Sequence, residues 1–84
     1  MTPAIRAGTI IRIVAPNFSW LMNPMFGMVQ VERGALLTVL GSPINDGAFR
    51  KYPVLYNGIQ LTLVEPTADF HITNGYIKVL KETT

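Results

Sequence analysis

Cysteine is absent from this sequence of 84 residues. Its absence excludes disulfides, cysteine metal ligands and thiol chemistry, and is typical of proteins made in a reducing compartment. Charge is also scarce, since charged residues make up 14% of the chain, against about 25% in an average soluble domain. Because 49% of the residues are hydrophobic, we expect apolar surface to remain exposed, which favours a protein partner, self-association or a larger assembly.

Long apolar runs are missing as well. The longest run near the N-terminus, TIIRIVAP, is interrupted by Arg12, and no apolar stretch approaches the roughly 18 residues of a membrane span. We therefore expect neither a signal peptide nor a membrane contact, and a cytoplasmic protein, in the virion or the host cytoplasm if it is viral. The length predicts one domain over residues 1–84, with flexible ends at 1–7 and 81–84.

Residues suited to catalysis or metal binding are few. His71 is the only histidine, and together with Asp69 it offers two ligands, whereas a metal site needs three or four. Neither Ser19 nor Ser42 shows a spacing to His71 and a carboxylate that favours a catalytic arrangement. We interpret His71 as a surface or turn residue, and predict no enzyme activity, no catalytic or metal site, no cofactor and no small-molecule substrate.

Glycine and proline divide the chain into short apolar segments, a pattern typical of an all-β protein. Alternation of apolar and polar residues predicts strands over residues 8–14, 26–32, 35–40 and 76–80. Two prolines in residues 15–25 predict a long first loop, and Ser-Pro and Asp-Gly steps predict a second loop over 41–51. A 3-10 turn is expected at about residues 70–73, before the last strand.

Residues 52–66, YPVLYNGIQLTLVEP, predict a β-hairpin. The pair Asn57-Gly58 favours a type I′ turn, because these two residue types tolerate the positive φ that both central positions need. A two-residue turn also fixes the register, so that Tyr56 opposes Ile59, Val54 opposes Leu61 and Tyr52 opposes Leu63. These six residues share one apolar face, and we expect that face to build the core.

The order of these elements resembles that of the Src-homology-3-like small barrels. The segment ITNGYIKVL (72–80) is similar to the closing signature of that family, Pro-Ser-Asn-Tyr-Val followed by a short strand. The resemblance implies a barrel of five to six strands with a long first loop and a short 3-10 turn before the last strand. In peptide-binding members the tyrosine of the signature lines a groove for proline-rich ligands, which implies a peptide groove that uses Tyr76, with Trp20 as a second aromatic.

A second resemblance concerns the layout of the whole chain. The segments AGTIIRIV, FGMVQV, YPVLYNGIQLTL and GYIKVL, in this order, look like the short barrel proteins that tailed bacteriophages encode. The resemblance implies a structural or accessory role in a virus. The resemblance does not identify a binding partner.

The segment FSWLMNPMFGM (18–28) places unusual apolar bulk in the predicted first loop. Such a loop either folds over one end of the core and caps it, or forms an exposed and adaptable contact surface. The sequence leaves both interpretations open. The predicted partner-binding residues are Phe18, Trp20, Leu21, Met22, Met25 and Phe26.

These patterns predict a non-enzymatic binding or assembly module that acts through protein–protein contacts, self-association included. The alternative is a small nucleic-acid-binding β-barrel. In that alternative Arg50 and Lys51 contact phosphate groups, while neighbouring aromatic side chains stack on bases. The net charge of +2 is mild, and the seven basic residues are dispersed, so the sequence shows no strong electrostatic footprint of duplex DNA.

Overall fold

The computed structural model describes residues 5–67 and 70–81, which form the predicted all-β protein. Its eight strands are β1 (Ile10–Ile13), β2 (Phe18–Asn23), β3 (Gly27–Val31), β4 (Leu36–Val39), β5 (Ile44–Asp46), β6 (Phe49–Tyr56), β7 (Ile59–Glu65) and β8 (Ile77–Lys81). One helical turn, α1 (Phe70–Thr73), separates β7 from β8. Of the ends expected to be flexible, residues 1–4 and 82–84 lie outside the described residues, whereas Ile5 is 4% exposed and belongs to the core.

All strands pair antiparallel in one sheet. The sheet order is β3-β2-β7-β6-β4-β1-β8, and β5 pairs with β6 beside this path. Across the described ranges no pairing joins β3 to β8, so these strands are the two ends of an open sheet. The closed barrel implied by the resemblance is therefore not confirmed. The strand count also differs, because β2 and β5 lie in segments that were predicted as loops.

The short connection between β3 and β4 forces this sheet to curve. Four steps separate the two strands in the sheet order, which corresponds to about 19 Å in a flat sheet with strands about 4.8 Å apart. Residues 32–35 close this connection as a turn, in which Ala35 N donates to Glu32 O over 3.2 Å. The ends of such a turn lie within about 7 Å of each other. The sheet must therefore curl, and its concave face encloses the core.

The β6–β7 hairpin has the predicted register. Tyr56 pairs with Ile59, Val54 with Leu61 and Tyr52 with Leu63. Both turn residues adopt positive φ, 49° at Asn57 and 79° at Gly58, as a type I′ turn requires. Tyr52, Val54 and Leu63 are fully buried and Leu61 is 3% exposed, so this part of the apolar face builds the core as expected. Next to the turn, Tyr56 is only partly buried and Ile59 is 52% exposed, so the expectation was wrong for Ile59.

The prediction of a long loop over residues 15–25 was wrong. Pro16 and Pro24 flank β2 rather than interrupt it, so neither removes a hydrogen-bond donor from the strand. The alternation within β2 is also broken, because a bulge shifts the register between Phe18 and Leu21. Both of these side chains consequently point into the core, with 2% and 0% of their surface exposed.

The turn before the last strand is α-helical rather than 3-10. Asn74 N donates to Phe70 O over 3.0 Å, which is the i to i−4 spacing of an α-helix. Gly75 follows with a φ of 72°, the left-handed conformation that commonly ends a helix. In the described part of the chain no helix is long and apolar enough to cross a membrane.

A charge on the core face of the β6–β7 hairpin should unfold the domain. Leu61 is 3% exposed, so Leu61→Asp would bury an unpaired carboxylate, with an expected loss of about 4 kcal/mol or more of unfolding free energy. Gln60→Asp is the matched control, because Gln60 is exposed on the other face of the same strand. Thermal unfolding followed by circular dichroism measures both. An unchanged melting temperature for Leu61→Asp would contradict the register.

Candidate functional site

The connection between β2 and β3 is a tight turn that presents two large apolar side chains to solvent. Asn23 and Gly27 form the last strand pair. The side-chain Oδ1 of Asn23 accepts hydrogen bonds from Met25 N at 2.8 Å and Phe26 N at 3.3 Å, and Gly27 has the positive φ of 82° that closes a three-residue hairpin loop. The local hydrogen bonds fix the tip, and Met25 and Phe26 are 83% and 81% exposed there.

The six residues predicted to bind a partner divide between the core and the surface. Phe18 and Leu21 are buried, and Trp20 is partly buried against the core. Met22 is 43% exposed and lies outside with the two residues of the tip. The two interpretations left open by the sequence therefore each apply to part of the segment, since Phe18 and Leu21 pack in the core while Met22, Met25 and Phe26 face solvent.

Met28 belongs to the same exposed surface and was not among the predicted contact residues. It pairs with Met22 across β2 and β3, which places both side chains on the convex face of the sheet, and it is 70% exposed. Met22, Met28, Trp20, Ser19 and Val64 line a shallow apolar depression. The alternation of β3 could have revealed Met28, because it is out of phase with the inward-facing Val29 and Val31. We call Met22, Met25, Phe26 and Met28 the methionine surface.

β3 borders this surface and is an end strand of the sheet. Its residues, Gly27–Val31 with the sequence GMVQV, include neither a charge nor a proline. Natural proteins usually protect end strands with such residues, because an unprotected strand can pair with another chain. β8, at the other end of the sheet, carries Lys78. Only one of the two ends is therefore protected by charge.

A cluster of aromatic rings packs against Phe18 and Trp20 of β2. His71 lies at its centre, with its ring centroid 5.1 Å from that of Phe18, 5.6 Å from Trp20 and 5.4 Å from Phe70. His71 lies in the helical turn before β8, but it is not the surface residue that the sequence suggested, because its side chain is completely buried. α1 carries His71 into the core, which sequence spacing alone does not reveal. The cluster anchors β2, the strand that carries Met22, to the interior.

The environment of the His71 ring determines which nitrogen carries a proton and whether the ring is charged. Its Nε2 lies 2.7 Å from Val64 O, and since a carbonyl oxygen only accepts, Nε2 carries the proton. In the described part of the chain Nδ1 has no hydrogen-bond partner. Burial lowers the pKa of His71, and the bond to Val64 O raises it by a smaller amount. The imidazole is therefore neutral near pH 7.

The two residues of the implied peptide groove, Trp20 and Tyr76, join the same cluster. Both are partly buried against the core. Phe70 lies between them, with ring centroids 5.6 Å from Trp20 and 5.8 Å from Tyr76. Much of each ring thus contacts the protein itself.

Arg50 and Lys51, the possible nucleic-acid contacts, are both engaged within the protein. Lys51 Nζ lies 2.8 Å from Asp46 Oδ2, and this hydrogen bond and the lysine charge lower the pKa of Asp46. Arg50 Nη1 donates to the Tyr52 hydroxyl over 3.3 Å, and Arg50 pairs across the hairpin with Glu65. Internal partners therefore already neutralise or orient these two side chains.

Within residues 5–67 and 70–81, no three side chains of His, Asp or Glu come close enough together to hold a metal ion. Asp69, considered with His71 as a ligand pair, lies outside the described residues. Glu65 is fully buried beside His71, where its Oε2 accepts a hydrogen bond of 3.3 Å from His71 N.

Burial of His71 should make the fold sensitive to acid. Because burial lowers the folded-state pKa below the ordinary value of 6.5, the unfolded chain binds a proton in this range and the folded chain does not. Stability is therefore greatest above pH 6.5 and should fall as the pH drops below it, by up to about 1.4 kcal/mol per pH unit. Urea unfolding between pH 5.5 and 7.5 measures this slope. His71→Gln should flatten it, and an equal slope in the variant would contradict the assignment.

Comparisons with protein families, with curated proteins and with solved structures found no match for this chain. The site has therefore to be understood from its own geometry. Three features define it: a tip that exposes two apolar side chains, a neighbouring convex patch that contains Met22 and Met28, and an end strand without charge. Together they form an exposed apolar surface beside an uncharged end strand.

Proposed function

We propose that the protein is a non-enzymatic contact module that associates with a second copy of itself through β3 and the methionine surface. The observation that carries this proposal is the combination of an uncharged end strand with four exposed apolar side chains beside it. Strand addition supplies backbone hydrogen bonds along β3, and the methionine surface supplies apolar area that leaves water.

A second copy fits this surface better than a charged partner does. The four side chains of the methionine surface carry no charge, so they offer no electrostatic complementarity to an acidic or basic protein. A twofold contact needs only a patch that complements itself. Antiparallel pairing of β3 centred on Val29 places Met28 opposite Gln30 of the partner subunit, and both residues lie on the convex face. The methionine surfaces of the two copies then adjoin.

An assembly role, in a virus as the resemblance to bacteriophage barrels implies, is part of this proposal. So is a barrel-like fold, in a cytoplasmic or virion setting. The curl imposed by residues 32–35 supports the barrel, because it brings the end of β3 close to the start of β4 although four steps separate them in the sheet. A helical turn before the closing strand has the position that the Src-homology-3-like resemblance implies.

The other two hypotheses have less support from the geometry. Nucleic-acid binding through Arg50 and Lys51 competes with the ion pair to Asp46 and the hydrogen bond to Tyr52. A peptide groove at Trp20 and Tyr76 competes with the ring contacts that these residues make to Phe70. The methionine surface, in contrast, makes no such internal contacts among the described residues.

Association should depend on β3. The unmodified chain should form a concentration-dependent dimer in sedimentation velocity, and Met28→Lys should weaken it at least tenfold, because the lysine places a charge on the end strand. Ile44→Lys is the matched control, since Ile44 is 67% exposed on β5 against 70% for Met28. The control should leave the dimer intact.

Two results would overturn the proposal. A monomer at millimolar concentration would remove self-association, and equal weakening by Met28→Lys and Ile44→Lys would show that added charge, rather than its position on β3, dissociates the dimer. Both variants change exposed side chains, so their melting temperatures should stay within a few degrees of the unmodified chain.

A further inference from the structure

Three basic side chains meet around a second surface depression. Arg12 lies on β1, Lys78 on β8 and Arg33 in the turn between β3 and β4. Together with Ile13, Val14 and Gly34 they line a shallow open depression, and no acidic side chain among the described residues belongs to this lining. We call Arg12, Arg33 and Lys78 the cationic cluster. None of them belongs to the methionine surface.

Backbone pairing holds the cluster together. Arg12 and Lys78 are direct partners across β1 and β8, so their side chains project from the same face. Arg33 is brought to them by its turn, because Gly34 N donates to Ile13 O over 2.7 Å. Gly34 has a φ of 94°, which glycine adopts without strain. The positions of the three charges thus follow from the fold and do not depend on flexible loops.

No contact within the part of the chain that the structure describes compensates the charges of the cluster. Among the residues that the structure describes, neither an ion pair nor a hydrogen bond involves a side chain of the cluster. Glu32 precedes Arg33 in the chain but does not line the depression. Like charges placed directly opposite each other on paired strands destabilise a sheet. In Arg12 and Lys78 the fold therefore retains an unfavourable pair that a bound anion would relieve.

We infer that the cationic cluster binds a ligand with consecutive phosphate groups, either a free polyphosphate or the backbone of a single-stranded nucleic acid. Guanidinium groups match phosphate oxygens with paired hydrogen bonds, and an ammonium group contributes a point charge. A ligand with a single carboxylate would neutralise only one of the three positive charges, so a ligand with several phosphate groups fits the cluster better. The depression is open rather than enclosed, so an extended ligand can cross it.

Binding should be measured with two probes, a fluorescein-labelled single-stranded oligonucleotide and tripolyphosphate, each at several salt concentrations. Three phosphate contacts predict a slope of log K against log salt of roughly −2 for the oligonucleotide. Arg33→Gln with Lys78→Gln should weaken the binding of the probe at least tenfold and reduce the slope. Arg50→Gln with Lys51→Gln removes the same charge elsewhere and should leave the affinity within about twofold.

The outcomes separate the two sources of phosphate. If both probes bind and the cluster variant weakens both, the ligand is defined by its phosphates alone. If only one of them binds and depends on the cluster, that probe identifies the source. The inference is overturned if neither probe binds, or if the Arg50 and Lys51 variant weakens binding as much as the cluster variant does.

A charge reversal tests the cluster independently of the probe. Lys78→Glu converts the like-charge pair with Arg12 into an ion pair, so it should raise the melting temperature while it abolishes phosphate binding. Lys78→Arg should preserve binding. A lower melting temperature for Lys78→Glu would show that Lys78 is already compensated, which contradicts the inference. Self-association should be equal in all of these variants, because β3 is unchanged in each of them. A failure of this inference is therefore distinguishable from a failure of the proposed dimer.

Discussion

The turn of residues 32–35 is the constraint on which the rest of the structure depends. β3 and β4 are neighbours in sequence but stand four steps apart in the sheet, and a turn closed by a hydrogen bond of 3.2 Å between Glu32 and Ala35 cannot span that distance in a flat sheet. The sheet therefore has to curl. The curl turns one face of every long strand inward, where Ile11, Leu37, Tyr52 and Leu63 are fully buried.

The same turn determines what lies on the outside. Because β3 follows β2 in a tight hairpin and stands at the end of the sheet, the side chains of its convex face meet solvent rather than another layer. The turn also carries Arg33 to the β1 and β8 pair through the bond from Gly34 to Ile13. The turn thus places Arg33 in the cationic cluster, whereas the β2–β3 hairpin places the methionine surface, and the two surfaces share no residue.

Sequence patterns predicted the parts of this fold that are local. The β6–β7 hairpin is fixed by Asn57-Gly58 and by strict alternation on both sides, so its register could be read before any tertiary contact was known. β2 could not be predicted in this way. Its two flanking prolines, Pro16 and Pro24, suggest a loop, and the bulge before Leu21 removes the alternation that would identify a strand.

Long-range packing determines what the sequence could not predict. His71 lies between Phe70 and Ile72 in the short turn before β8, and only the contact of α1 with β2 places its ring beside Phe18 and Trp20. The cationic cluster is a similar case. Arg12, Arg33 and Lys78 are dispersed along the chain, and sheet topology alone brings them together. Among the candidate contact residues, Phe18, Leu21, Met22 and Phe26 are all large apolar residues of one segment. Only their burial in the structure distinguishes the core residues Phe18 and Leu21 from the exposed Met22 and Phe26.

Two surface features of this protein are unfavourable for the isolated domain. An end strand without charge invites pairing with other chains, and a directly opposed arginine and lysine repel each other. Either could be removed by one surface substitution that leaves the core untouched. Sequences that specify a fold usually keep local and global preferences consistent, and departures from that consistency concentrate where a protein meets something else. Packing in the core accounts for Tyr52, Leu63 and His71. Met28 and Lys78 are exposed and add nothing to that packing, whereas the proposed self-association and phosphate binding would give each of them a role.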